Sequence, residues 1–436
     1  MKAVNFLFKN KYLFIIFLLI TYVLTALNSV GFYKDDEHFQ ILEPIAYLLG
    51  LNNQLIDDVT GFYWEWQTDH RIRPWFQPFI YFQLISFLKF LNINDPFSWT
   101  LIIRLINGLI GFIGITILFF SIKKYFVKDD NIIYYLIYFS FWFFPFLHTR
   151  TSSENLSITL LIFAFPFLLN LIISQNKKFS FYKTILFSFV LGLSIVVRPQ
   201  IIFTIFPIFL WSLLYKFHFY KFILILIGVA LAIILGLYID YLHWGFFSNT
   251  YLQIFKIQIL NGRMQDFGQE PFWFYFLTII KDLSPIFGFF FFYLMSIKFS
   301  SNIKKIIFSL SLLSNLIFLI LIATLPANGK VDLYKYIYSK NLVDPHIYFI
   351  NDNPYDINDL EPFFYTSFLP NIKKYNNENP NKPFYLITNN YSEHEKISYK
   401  ENCNLTYTTY PLKLINLVEN LKKRKMNWYF YKCNSL

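Results

Sequence analysis

The chain has 436 residues, of which 56% are hydrophobic, 22% aromatic and only 15% charged. An ordinary soluble domain carries about 25% charged residues, and the mean hydropathy here is +0.42. These values exclude a disordered chain, a coiled coil, a secreted disulfide scaffold and an ordinary cytosolic enzyme, and leave a polytopic membrane protein. The two cysteines, Cys403 and Cys433, exclude a zinc module of four thiolates. The net charge of +11 comes largely from lysines in short loops, the inside-positive pattern of membrane proteins. No basic, aromatic-interleaved face exists outside those loops, so nucleic acid is not an expected partner.

About nine apolar runs approach the length needed to cross ~30 Å of hydrocarbon. They lie near 12–30, 99–120, 131–148, 155–173, 183–197, 201–215, 222–238, 283–297 and 304–325. The first leads into Asn28-Ser29-Val30-Gly31 and then acidic residues. It lacks a small-x-small cleavage site and reads as a retained span. Lysine clusters at 2–11, 123–128, 177–183, 216–221 and 298–305 place those loops in the cytoplasm. Segments 31–98, 149–154, 198–200, 239–282 and 326–436 then face outward. For this to hold, residues 75–91 must be an interfacial or juxtamembrane helix rather than a further span.

From 326 onward the composition turns polar. Strands are predicted at 346–352, 382–389, 405–411 and 427–433, with a basic helix at 412–424. The expected fold is mainly α: a polytopic helical bundle with juxtamembrane helices over 1–325, whose first outer loop is 31–98, then a small outward α/β domain over 326–436. Both cysteines lie in that domain, where a disulfide is permitted.

Polar residues near a bilayer need a reason, and here they cluster at the outward ends of the spans. The first cluster is Lys34-Asp35-Asp36-Glu37-His38 with Gln40 and Glu43. On a helix, Asp36, Gln40 and Glu43 share one face. That face reads either as a solvated juxtamembrane surface or as a general-base site. His38 has no second histidine at ligand spacing and reads as structural. The second cluster is Tyr63-Trp64-Glu65-Trp66, then Arg71 and Arg73-Pro74. Its aromatics suit an interface belt or sugar stacking, and its arginines suit a phosphate. The third runs from His148-Thr149-Arg150-Thr151 to Ser153-Glu154-Asn155, and the fourth is Arg198-Pro199. Arg198 either pairs with Glu154 or meets a lipid phosphate. The fifth runs from Tyr251 through Asn261-Gly262 to Trp273 and Tyr275, and by itself says interfacial helix.

In this order, the five clusters resemble the GT-C glycosyltransferases of family 22, the GPI-anchor and N-glycan-pathway mannosyltransferases with their bacterial relatives. Asp36-Glu37, Gln40 and Glu43 resemble that family's first-loop acidic motif. Tyr63 to Trp66 resembles its Thr-Trp-Glu-Trp element, Arg73-Pro74 its next arginine and proline, and Thr149 to Asn155 its Thr-Arg-Thr motif. Arg198-Pro199 matches its Arg-Pro between spans, and Tyr251 to Tyr275 its aromatic helix and turn. The likeness covers about 30–280. Two departures stand out: Ser153-Glu154-Asn155 is not the usual Ser-Asn order, and the His-Lys-Glu-x-Arg-Phe motif expected near 325 is replaced by Leu325 to Asp332. The chain also reads as shortened after 325.

The resemblance implies an inverting hexosyltransferase, with mannose as the expected hexose, using a polyprenyl-phosphate-linked donor and a glycan or glycolipid acceptor. It implies Asp36 as the base, with Asp35 as the substitute if the register moves by one. Glu37 and Glu43 would orient acceptor hydroxyls, and Gln40 is a further substrate-binding candidate. Arg73, Arg150 and Arg198 are the phosphate candidates, Trp64, Trp66 and Trp273 are sugar-stacking or interface residues, and Glu65 and Glu154 are further substrate-binding candidates. No metal site is expected, and the lipid-linked donor is a co-substrate rather than a cofactor. The other reading is a non-catalytic or transport protein for lipid-linked glycans. A bacterial cytoplasmic membrane is expected over the endoplasmic reticulum.

Overall fold

The computed structural model describes residues 11–53, 55, 65–67, 70–126, 141–173, 181–213, 219–247, 249–263, 265, 268, 270–271, 273–274, 277–278, 302–342, 345–357, 360–375, 383–390, 403–411 and 427–434. They belong to two compact units. The first unit holds Met1–Ala26, Thr68–Gln77 and Arg104–Thr324; the second holds Leu27–Gln67, Pro78–Ile103 and Leu325–Leu436.

The expected apolar runs that fall wholly or mostly on described residues are helix or nearly so there: Lys11–Asn28, Pro96–Phe126, Ser153–Ile173, Phe181–Val197, Ile202–Leu213, Phe219–Trp244 and Asn302–Thr324. The run at 283–297 lies outside the described residues, as does most of 131–148, which ends in the helix Phe143–His148. Among the described residues, four helical stretches are long and apolar enough to cross a membrane: Pro96–Tyr125, Ser153–Ile173, Phe219–Trp244 and Leu313–Ser339, the last joining the end of Asn302–Thr324 to the separate helix Gly329–Ser339. Tyr12–Asn28, Phe181–Val197 and Pro199–Leu210 are apolar but shorter. The expected nine crossings are therefore not reproduced as a count. The 75–91 segment forms a helix, Phe76–Phe90.

The first unit packs by close helix approach. A Cβ on Gly192 would meet Ala232 Cβ at 2.6 Å, and one on Gly228 would meet Ser188 Cβ at 2.6 Å. Small residues let Phe181–Val197 and Phe219–Trp244 touch nearly backbone to backbone, which is how helices associate where lipid removes the hydrophobic drive. Leu161, Ala164, Leu168, Leu191, Ile205 and Ile225 fill the core beside them. The opposite face of Phe219–Trp244 exposes Ile227, Leu231, Ile234 and Leu235, as a lipid-facing helix does.

The second unit carries a five-stranded sheet. Its strands are β1 (Ile347–Phe349), β2 (Ile372–Lys374), β3 (Phe384–Thr388), β4 (Cys403–Thr408) and β5 (Tyr429–Cys433), in the order β2-β1-β3-β5-β4. β1 is parallel to both β2 and β3, while β5 is antiparallel to β3 and β4. All four predicted strands are present. β2 was not predicted, because Ile-Lys-Lys is short and half exposed, the usual look of a guarded edge. The basic helix expected at 412–424 lies outside the described residues. Cys403 and Cys433 face each other in register and form a disulfide, with Cα atoms 4.1 Å apart. The helix Gly329–Ser339, capped by Asn328 Oδ1 accepting from the Lys330 and Val331 N–H groups, packs Leu333 and Ile337 against Ile347, Ile387 and Phe430.

Candidate active site

In the second unit, the segment after the first helix lies against the start of Gly329–Ser339. The Val30 carbonyl accepts from the Ala327 and Asn328 N–H groups at 2.9 and 3.1 Å. Gly31 sits at φ +86°, and a Cβ there would fall 2.7 Å from Asn328 Cβ. Only glycine fits that conformation and that approach.

A short helical turn, Asp35–Glu37, comes next and passes into a π-helical turn, His38–Leu42, then into Glu43–Leu48. Pro44 supplies a reason for the wide turn. It has no N–H to donate to the Gln40 carbonyl, and its ring would clash there in an α-helix. Of the expected face, Asp36 is exposed, whereas Gln40 and Glu43 are buried.

Glu43 is 0% exposed and fully engaged. Its Oε1 lies 2.7 Å from His38 Nε2 and accepts the Phe364 N–H at 3.1 Å, and its Oε2 accepts from Asn52 Nδ2 at 2.8 Å. A buried carboxylate is retained only with such partners. His38, also fully buried, stacks on Tyr365 at 5.7 Å. Glu37 is buried, and its Oε1 accepts the Tyr33 N–H at 3.1 Å, closing the turn that carries Asp35 and Asp36. Asp35 is half-buried. Trp66 is 1% exposed and Glu65 half-buried, while Trp64 lies outside the described residues.

In the first unit, Arg198 Nη2 and Glu154 Oε1 form an ion pair at 2.7 Å, and Arg198 Nη1 reaches Ser153 Oγ at 3.5 Å. Of the two readings left open for Arg198, the structure shows the pair. Arg150 is 1% exposed, with its guanidinium 5.4 Å from the Phe146 ring and its carbonyl accepting from Asn107 Nδ2 at 3.3 Å. Gln77 Nε2 donates to the Thr151 carbonyl at 2.7 Å. Arg73 is buried, and Arg71 lies 4.0 Å from the Phe246 ring centroid. Trp273 is exposed.

Two functional-looking groups escaped the sequence reading. Asp240 is fully buried and accepts from the Trp75 N–H and the Thr250 hydroxyl, both at 2.8 Å. It fixes the segment carrying Arg71 and Arg73; an acid just past the run at 222–238 was the available signal. Lys330 donates to the Asp356 carbonyl and sits 5.5 Å from the Trp428 ring. Its signal was weaker still, since the nearer of these partners lies 26 positions away in sequence. Among the described residues, no group of three His, Cys, Asp or Glu is arranged to hold a metal ion.

The sequence model of the Alg9-like mannosyltransferase family matches residues 12–326. The chain is also similar to the crystal structure of ArnT from Cupriavidus metallidurans in the apo state, at 10% identity and TM-score 0.41, covering 99% of this chain and 98% of that one. The ArnT structure bound to undecaprenyl phosphate aligns at 10% identity and TM-score 0.38, covering 97% of each chain. No curated protein matches the sequence. With a family match over residues 12–326 and helices suited to a bilayer, this membrane protein belongs to the Alg9-like mannosyltransferase family.

Proposed function

We propose that the chain is an inverting hexosyltransferase that moves mannose from a polyprenyl-phosphate donor to a glycan or glycolipid hydroxyl on the outer face of a bacterial cytoplasmic membrane. The observation that carries this reading is the family match across residues 12–326. The chemistry suits the residues. An acceptor oxygen attacks the anomeric carbon as the carbon–oxygen bond to phosphate breaks. The phosphate leaves with the electron pair and needs no strong acid, so the protein must supply a base and cations.

Asp36, exposed on its short turn, is the proposed base that takes the acceptor's proton, with Asp35 beside it as the alternative. Glu37, tied to the Tyr33 N–H, holds that turn in shape. Arg198, only 21% exposed, is the proposed phosphate ligand, with Arg150 and Arg73 as further candidates. Trp273, exposed at 52%, is the proposed sugar-stacking residue. The test is a transfer assay with polyprenyl-phosphate mannose and purified chain. Transfer with inversion supports the reading, and turnover from a nucleotide-linked sugar instead overturns it.

A further inference from the structure

The sheet of the second unit has a topological switch point. β1 lies between β2 on one side and β3 on the other, all three parallel. In open sheets of parallel strands, ligands bind beyond the carboxyl ends of the strands at such a point. Here those ends lead into residues 350–356 after β1 and into Asn389 and Asn390 after β3.

Polar groups gather at this place. Asn389 Nδ2 donates to Asp352 Oδ2 at 2.6 Å. Asn389 is only 8% exposed, and its Oδ1 is buried with no hydrogen-bond partner. A buried acceptor left open in this way calls for a ligand or water to complete it. Lys330 donates to the Asp356 carbonyl, and the carboxylates of Asp352 and Asp35 act on the same ammonium. Asp35 is brought there by the Val30 and Gly31 contacts with Ala327, Asn328 and Val331. The Val30 and Gly31 contacts thus set the acidic turn beside the helix start that carries Lys330, and Lys330 reaches the loop after β1 through the Asp356 carbonyl.

The loop is rigid enough to present these groups. Asn351 takes a left-handed conformation, φ 67°, which asparagine tolerates better than most residues. Asn353 Oδ1 accepts the Tyr355 N–H at 3.0 Å, and the Tyr355 hydroxyl donates to the Pro370 carbonyl at 2.9 Å. Burial, with Glu361 nearby, holds the Tyr355 phenol above its ordinary range, so it remains a donor.

We propose that residues 350–356, with Asn389 and Lys330, form a saccharide-binding subsite that holds the acceptor glycan beside the acidic turn. Asp352, exposed and oriented by Asn389, accepts from glycan hydroxyls. Asn389 Oδ1 accepts from a further hydroxyl, and Lys330 donates to a hydroxyl or ring oxygen. A divalent cation is the less suitable occupant, because an ammonium already stands among the carboxylates. This inference rests on the transferase reading for the word acceptor, but not for saccharide binding itself.

The experiment uses the full chain in detergent, with Asp352→Asn and Asn389→Leu. Binding of mannotriose is measured by saturation-transfer NMR, and acceptor and donor KM by the transfer assay. Asp352 is at the surface, so its variant tests the site even where Asn389→Leu fails to fold. The expected result is mannotriose binding by the wild type and a loss of about tenfold or more in Asp352→Asn, the effect of one charged hydrogen bond. Acceptor KM rises by the same factor and donor KM is unchanged. Absence of mannotriose binding by the wild type, or equal binding in Asp352→Asn, overturns the inference. So does restoration of activity by a divalent cation in place of these effects. A wild type that binds mannotriose through Asp352 yet transfers no hexose overturns the transferase reading alone.

Discussion

Glu43 Oε1 accepts the backbone N–H of Phe364 at 3.1 Å, across 321 positions of sequence. One buried carboxylate thus ties the first outer loop to the C-terminal segment, with His38 and Asn52 on its remaining lone pairs. The resemblance gave Glu43 to an acceptor hydroxyl; its geometry suits positioning better. Replacing it by Gln sets an amide donor against other donors. The expected cost is about 2 kcal/mol or more for a buried group left unsatisfied. Thermal unfolding and proteolytic release of the C-terminal segment should both move in Glu43→Gln. An unchanged melting temperature, with acceptor KM raised instead, would restore the substrate-binding role.

The Arg198–Glu154 pair makes a different prediction. Its members are 21% and 41% exposed, and such pairs contribute about 0.2–1 kcal/mol. A double-mutant cycle with Arg198→Gln and Glu154→Gln should give a stability coupling below about 1 kcal/mol. Donor KM should rise much more for Arg198→Gln than for Glu154→Gln, because the proposal gives Arg198 the phosphate. Equal effects would leave the arginine only its ion pair.

Orientation can be read by labelling. Single cysteines at Lys123 and Asn351 should react with an impermeant thiol reagent from outside only at Asn351, since the proposed topology, read from the lysine clusters, has 123–128 inside. Reaction at Lys123 alone, or at both positions, contradicts the proposed topology.

Helices and strands were legible because apolar run length and β-branched or aromatic alternation are local signals. The Arg198–Glu154 pair was legible too, since a charge between apolar spans must find a partner. The disulfide was legible only as permitted; the register Cys403 opposite Cys433 is a long-range fact. Which residues of the acidic cluster stay open was not legible, because Glu43 is buried by partners far from it in sequence, Asn52 and Phe364. The Lys330 cluster was invisible because it draws on Asp35, Asp352 and Asp356 from both ends of the chain.

The central claim is general-base transfer by the acidic turn, and Asp36→Asn tests it most directly. The amide keeps the size of the side chain but takes up no proton near neutral pH. General-base catalysis contributes about 10²–10⁴ in rate. With polyprenyl-phosphate mannose as donor, Asp36→Asn should insert and bind donor normally yet lose transfer by at least about a hundredfold, and Asp35→Asn should lose much less. Transfer by Asp36→Asn within a few-fold of wild type would contradict the account.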